Sequence, residues 1–310
     1  MSFAVSVLLG IGGLFAIAAA LRAVARATLP EAARSIANDI PLTAAFGILV
    51  IVIYAAVAIA APVLAPFAER EIVGNQFEAW SSEHLLGTDR IGRDMLSRLI
   101  YGARNTVGIA FATTALAFVV GSFLGLWAAL TGGWLDQILS RFVDALMSIP
   151  ALIFSLLLLT IFGTSVLTLI LVIAAVDSTR VFRLARAVAQ GVVVMDYIEA
   201  AKLRGEGSWF LIRREILPNA LAPLVAEFGL RFCFVFLTIA ALSFLGVGIQ
   251  PPTADWGSMV RETAGLIQFA EYDFTAAMTP MLPAAAIALL TVAVNFVVDW
   301  FLHKSSGLKD

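Results

Sequence analysis

The chain has 310 residues, 61% of them hydrophobic and 14% charged, with a formal net charge of -2 and a mean hydropathy of +0.95. Soluble domains run nearer half apolar and a quarter charged, so this composition excludes a free globular domain and makes the bilayer the solvent. One cysteine, Cys233, and two histidines, His84 and His303, leave no material for a disulfide framework or a Cys/His metal cluster, and Cys233 lies in an apolar run where it reads as packing.

Residues 1–21 are uncharged and apolar, yet they lack the basic n-region of a secretory signal. Arg22, Arg26 and Arg34 follow the run instead. That order favours an uncleaved helix with its N-terminus outside; a helix lying in the membrane surface is the alternative. A helix rises about 1.5 Å per residue and crosses a bilayer in about 20 apolar residues. On that scale spans are expected near 42–63, 105–130, 137–162, 164–184, 221–246 and 279–302. The uncharged stretch between Asp144 and Asp177 is too long for one span and too short for two complete ones. A tight turn at Gly163-Thr164 would divide it, leaving Arg141, Asp144, Asp177 and Arg180 in the outer parts of two helices.

Between the first two of these spans runs His84-Leu-Leu-Gly87-Thr88-Asp89-Arg90-Ile-Gly92-Arg93-Asp94-Met-Leu-Ser97-Arg98. Thr88 or Asp89 can cap a helix whose Ile91, Met95, Leu99 and Ile100 form an apolar stripe, with Arg90, Arg93, Asp94 and Arg98 on wetter faces. This segment is expected at the outer surface.

The basic segment 180–218 contains Asp196-Tyr-Ile-Glu-Ala-Ala-Lys-Leu-Arg-Gly205, then Glu-Gly-Ser208-Trp-Phe-Leu-Ile-Arg-Arg-Glu-Ile216-Leu217-Pro218-Asn219. It reads as helix, turn, helix. Ala, Leu, Lys and Arg favour the first helix, Gly205 and Gly207 supply a sharp turn, Ser208 is a good N-cap and Pro218 ends the second helix. Placing this segment in the cytoplasm puts thirteen of the twenty Lys/Arg residues inside, which fits the positive-inside rule. The external region from Ala65 to Arg104 is then mixed in charge, and the one from Gly248 to Phe274 acidic. Charges beside or within spans are costly. Arg141/Asp144, Asp177/Arg180 and Glu227/Arg231 have the spacing to pair on one helical face, either to stabilise packing against a partner chain or to contact substrate. Pro150, Pro223, Pro280 and Pro283 can kink helices.

The 196–219 pattern resembles the EAA loop of ABC-importer permeases: Glu199, Ala200, Ala201, Gly205, Ile216 and Pro218 occupy its motif positions, and Leu217-Pro218-Asn219 is typical of the peptide branch. In that family the loop is a coupling helix seated in a cleft of the ATP-binding subunit. The segment Gly87-Thr88-Asp89 through Gly92-Arg93-Asp94 is similar to a signature of the second permease subunit in dipeptide, oligopeptide and nickel importers. In this chain the segment reads either as a gate element or contact for a delivering protein, or as an interfacial anchor. The resemblance covers roughly residues 40–305. It implies an all-α polytopic membrane protein with the type I ABC importer transmembrane fold and six core helices, in the bacterial inner membrane; the extra N-terminal helix is a departure from that family's usual six spans. The implied parts are an N-terminal apolar helix and linker over 1–40, a first core span and external segment over 41–104, a permease core over 105–305 and a tail over 306–310.

The implied partners are a second permease subunit, two ATP-binding subunits holding ATP and magnesium, a periplasmic substrate-binding protein and membrane lipid, with no nucleic acid. The chain itself has no Gly-x-x-x-x-Gly-Lys-Ser/Thr segment, and its two histidines at opposite ends of the topology offer no catalytic constellation. No catalytic or metal residue is therefore expected in it. An ATP-independent secondary transporter or channel is the competing class, but it would show inverted repeats and ionisable groups near mid-membrane, neither of which is clear.

Overall fold

The computed structural model describes residues 12–20, 22–23 and 39–305. Over the described residues the chain is helical with no strands, as a backbone that must satisfy its own hydrogen bonds in lipid requires. Arg26, Arg34, Lys309 and the expected tail over 306–310 lie outside the described residues, as does most of the linker before Asp39. Of the expected N-terminal helix, residues 12–20 are helical. Phe15 stacks on Phe46 with centroids 4.0 Å apart.

The helices are α1 (Leu42–Leu64), α2 (Met95–Gly102), α3 (Gly108–Thr131), α4 (Gly133–Met147), α5 (Ala151–Phe162), α6 (Val166–Val193), α7 (Asp196–Leu203), α8 (Ser208–Phe210), α9 (Leu217–Phe244), α10 (Trp256–Thr263) and α11 (Phe274–Ser305). A π turn over Ala103–Val107 joins α2 to α3, and another over Leu211–Ile216 joins α8 to α9, so Met95–Thr131 and Ser208–Phe244 each run as 37 continuous residues. Among the described residues four helices are long and apolar enough to cross a membrane: α1, the two joined helices and α11. The pair α4 and α5 makes five if counted as one span. It is not the straight span expected over 137–162, because the chain turns by 91° between Met147 and Ala151. Pro150 bars a regular helix through the break, since it lacks an N–H and disfavours helical backbone in Ile149. The turn expected at Gly163 is present, with φ at +88°.

Pro218 does not end the second helix of the loop; it stands in the first turn of α9, which continues to Phe244. In a regular α-helix its ring would strike the carbonyl of Arg214. The preceding π turn removes the conflict by passing the Leu217 N–H to the carbonyl of Ile212, five residues back. Ser208 opens α8 rather than capping it, and Gly207 takes the cap position.

Close packing of α3 on α6 rests on absent side chains. A Cβ on Gly121 would lie 2.5 Å from the Ser178 carbonyl, and one on Gly125 would lie 2.6 Å from that of Phe182. Helices in lipid lack a hydrophobic drive to associate, so such small-residue contacts supply the van der Waals gain. On α6 as well, Arg186 donates to both carboxylate oxygens of Asp136 on α4, at 2.5 and 2.6 Å. Replacing Gly125 with valine should wedge α3 from α6 and cost about 1–3 kcal/mol, measured as a lower thermal midpoint of the purified chain in detergent.

Candidate functional site

Two regions carry the sequence motifs. The first is the 196–219 hairpin, where Gly205 has φ at +82°, a conformation that a side chain opposes, and closes the turn between α7 and α8. The hairpin has two faces. Ile198, Ile212 and Ile216 are buried in one apolar cluster with Leu126 of α3, Ala185 and Ala189 of α6, and Ala220 and Leu224 of α9, and Ala201 and Leu211 are buried as well. Glu199, Ala200, Gly205 and Pro218 are exposed, Leu217 is half-buried, and Leu203 and Trp209 stand out at 83% and 62% exposure. The motif is therefore split: Ile216 locks the hairpin to three long helices and Ala201 is buried, while Glu199, Ala200 and Gly205 form its open surface. Asn219 ties the ends of the hairpin by donating to the Tyr197 hydroxyl at 3.2 Å.

The second region is a cap built from residues 65–104 and 248–273. Gly92 has φ at +85°, and a side chain there would run into the carbonyl of Gly74. Gly87 is likewise left-handed. Thr88 donates to the Asn75 carbonyl at 2.6 Å and accepts from the Glu78 N–H at 2.8 Å. Glu78, held by the backbone and side chain of Asn75, has its carboxyl below the usual range. The helix expected to start at Thr88 or Asp89 starts later, and its cap is Asp94, which accepts from the Ser97 N–H at 2.7 Å.

Arg93, Asp94 and Arg98 are not on wet faces; each is at least 97% buried. The reason is an ion network. Asp89 accepts from Arg93 Nε at 2.6 Å and has Arg98 Nε at 3.3 Å. Glu262 of α10 lies 3.7 Å from Arg93 Nη2 and 3.8 Å from Arg98 Nη2. Both guanidiniums also point at the Pro252 carbonyl, at 3.3 and 3.5 Å. Glu69 accepts from the Ala254 N–H at 2.6 Å and from Asn105 at 2.8 Å, which ties the two external segments together a second time. Asp255 caps α10 and accepts from Thr106 at 3.0 Å; burial pushes its carboxyl above the usual range, and the hydrogen bonds oppose that rise only in part.

Glu262, Glu69 and Asp255 were not singled out from the sequence, where the only signal was acidic residues in one external segment facing a more basic one. The charge pairs expected within helices are partly rearranged. Asp144 lies 3.9 Å from Arg183 of α6, across helices. Asp177/Arg180 and Glu227/Arg231 both form, at 3.5 and 2.7 Å, and Arg231 Nη1 joins them at 3.7 Å from Asp177. Asp177 is 5% exposed and midway along α6, not in its outer part.

Removing one partner from a buried ion network leaves the other charge uncompensated, at about 3–5 kcal/mol. Glu262→Gln should therefore lower the thermal midpoint in detergent sharply. Asp255→Asn should be tolerated within about 1 kcal/mol, because it keeps a cap acceptor and removes a buried charge. Asp255 is a carboxyl whose folded value lies above its unfolded one, so its contribution is full below the unfolded pKa and lost as pH rises through the folded one. Melts across mildly acidic pH should show that decline weakened in Asp255→Asn.

Comparison with known proteins agrees with this architecture. Residues 121–305 match the family described as binding-protein-dependent transport system inner membrane component. The dipeptide transport system permease protein of Haemophilus influenzae is 35% identical, over 86% of this chain and 88% of that one. Its counterpart in Alkalihalophilus pseudofirmus is 33% identical, over 85% and 83%. The di/tripeptide transport system permease protein of Pseudomonas aeruginosa is 34% identical, over 75% and 73%. With a multi-pass helical core and 60% of its length, counted as 185 of 310 residues, inside the family match, the chain belongs to the binding-protein-dependent transport system inner membrane components, as an ABC-importer permease.

Proposed function

We propose that this permease serves a peptide importer of a bacterial inner membrane and that its 196–219 hairpin is the seat of a separate ATP-binding subunit. The observation that carries this reading is the split of the hairpin into an open face with Glu199, Ala200, Leu203 and Trp209 and a buried face shared with α3, α6 and α9. A partner gripping the open face moves a unit that is packed into three long helices. The residues assigned to docking are Glu199, Ala200, Ala201, Gly205, Ile216, Leu217 and Pro218, the inward ones acting by holding the outward ones in place. ATP and magnesium belong to the partner subunits, and the chain contributes no catalytic residue.

The chain pairs with a second, different permease around a central pathway, and two ATP-binding subunits dock beneath, one on each hairpin. Closure of those subunits draws the hairpins together and opens the pathway outward, and hydrolysis restores the inward-facing state. A periplasmic binding protein delivers the cargo to the outer side, where Gly87, Thr88, Asp89, Gly92, Arg93 and Asp94 shape the receiving cap. Peptide cargo is supported by the names of the relatives, which are permeases for dipeptides and for di- and tripeptides.

Gly205→Val places a β-branched side chain at a left-handed position and should deform the turn of the hairpin. ATP-dependent uptake by inside-in membrane vesicles should be abolished while the amount of inserted chain is unchanged. Normal uptake by that variant, or wild-type uptake driven by an ion gradient without ATP, would sink the reading.

A further inference from the structure

Four ionisable side chains meet between α6 and α9. Arg231 Nε lies 2.7 Å from Glu227 Oε1 and Arg231 Nη1 lies 3.7 Å from Asp177, while Arg180 approaches the same Asp177 oxygen at 3.5 Å. Arg231 lies 14 residues from Leu217 and 13 from Phe244, which at about 1.5 Å per residue puts it roughly 20 Å from either end of α9. Charges at such depth face a bundle interior or a water-filled cavity, never hydrocarbon.

Helix packing does not account for the group. Small residues hold α6 on α3, and Gly229 of α9 receives Val298 of α11 with no room for a side chain. The cluster is also incomplete. The Asp177 side chain is 7% exposed, yet its Oδ2 has no hydrogen-bond partner. A buried carboxylate oxygen without a donor costs about 1–3 kcal/mol or more, and Arg231 Nε in the same group is also without a hydrogen-bond partner, so the cluster holds one open acceptor and one open donor. The Arg180 side chain, on the other flank, is 40% exposed. It borders a hollow lined by Met147, Ile149, Phe154 and Val176, opened by the sharp turn between α4 and α5.

We propose that this cluster is a transit subsite for zwitterionic cargo, in which Asp177 accepts an ammonium and Arg180 meets a carboxylate. Arg231 is a positioning residue that aims and neutralises Asp177, and Glu227 holds Arg231 in place. The four groups carry two charges of each sign, so a zwitterion binds without changing the net charge between α6 and α9. The choice of a zwitterion rests on the peptide reading above.

The test uses the whole importer reconstituted in proteoliposomes with its binding protein, and Ala-Ala as the probe. Asp177→Asn should cut ATP-dependent uptake about ten-fold or more, the loss of one charge-assisted hydrogen bond, and Asp177→Glu should recover most of it. A second arm places Arg180→Cys in a Cys233→Ser background, with the complex lacking Arg180→Cys as blank. A membrane-impermeant anionic thiosulfonate should label that position through water, and cargo-loaded binding protein with ATP should slow the labelling several-fold. Uptake unchanged in Asp177→Asn, no labelling, or labelling that cargo does not slow would each overturn the subsite. Failure of the unsubstituted importer to take up Ala-Ala would remove the peptide reading itself, and the zwitterion with it.

Discussion

A guanidinium or carboxylate taken out of water must meet its opposite, and where it does so decides which helices can be neighbours in this protein. Three such meetings organise the chain. Arg186 and Asp136 pin the short helix α4 across α6. Asp177, Arg180, Glu227 and Arg231 join α6 to α9 at mid-depth. Asp89, Arg93, Arg98 and Glu262 close the external cap. Each is a costly arrangement that apolar packing of the same volume could replace, so its value lies in fixing one geometry rather than in adding stability.

Apolar contact does the remaining work with little directional information. The glycines of α3 set how near α6 can come, and Trp256 of α10 packs edge-on against Tyr54 and Phe236 while its indole N–H donates to the Leu99 carbonyl at 2.9 Å. That tryptophan is the hub where α1, α2, α9 and α10 converge. Its polar edge is satisfied inside a core that is otherwise greasy.

Much of this was legible in the sequence because hydropathy and charge are one-dimensional signals. The spans at 42–63 and 279–302 lie within α1 and α11, and the hairpin with its glycine turn stands where the pattern of Glu199, Gly205 and Pro218 places it. What was not legible depends on pairing at a distance. Arg93 and Arg98 look like surface residues until Glu262 arrives from more than 150 positions away, and local spacing cannot announce that partner. The break in the expected 137–162 span had a local sign in Pro150, but the same residue can also sit in a kinked, continuous helix. Pro218 misled for a related reason: a π turn is a tertiary accommodation, and no single residue encodes it.

The long reach of the cap also bears on the order in which the protein is made. Arg93 and Arg98 leave the ribosome well before Pro252 and Glu262, their partners in the finished cap. Until those residues are made, the two guanidiniums have only the nearby Asp89 and Glu69 to answer them. Closure of the cap thus waits for residues made late in synthesis. A copy stalled or truncated before α10 would be left with an open cap in which Glu262 and its two ion pairs are missing. The ion network of the cap thereby distinguishes a finished subunit from an unfinished one.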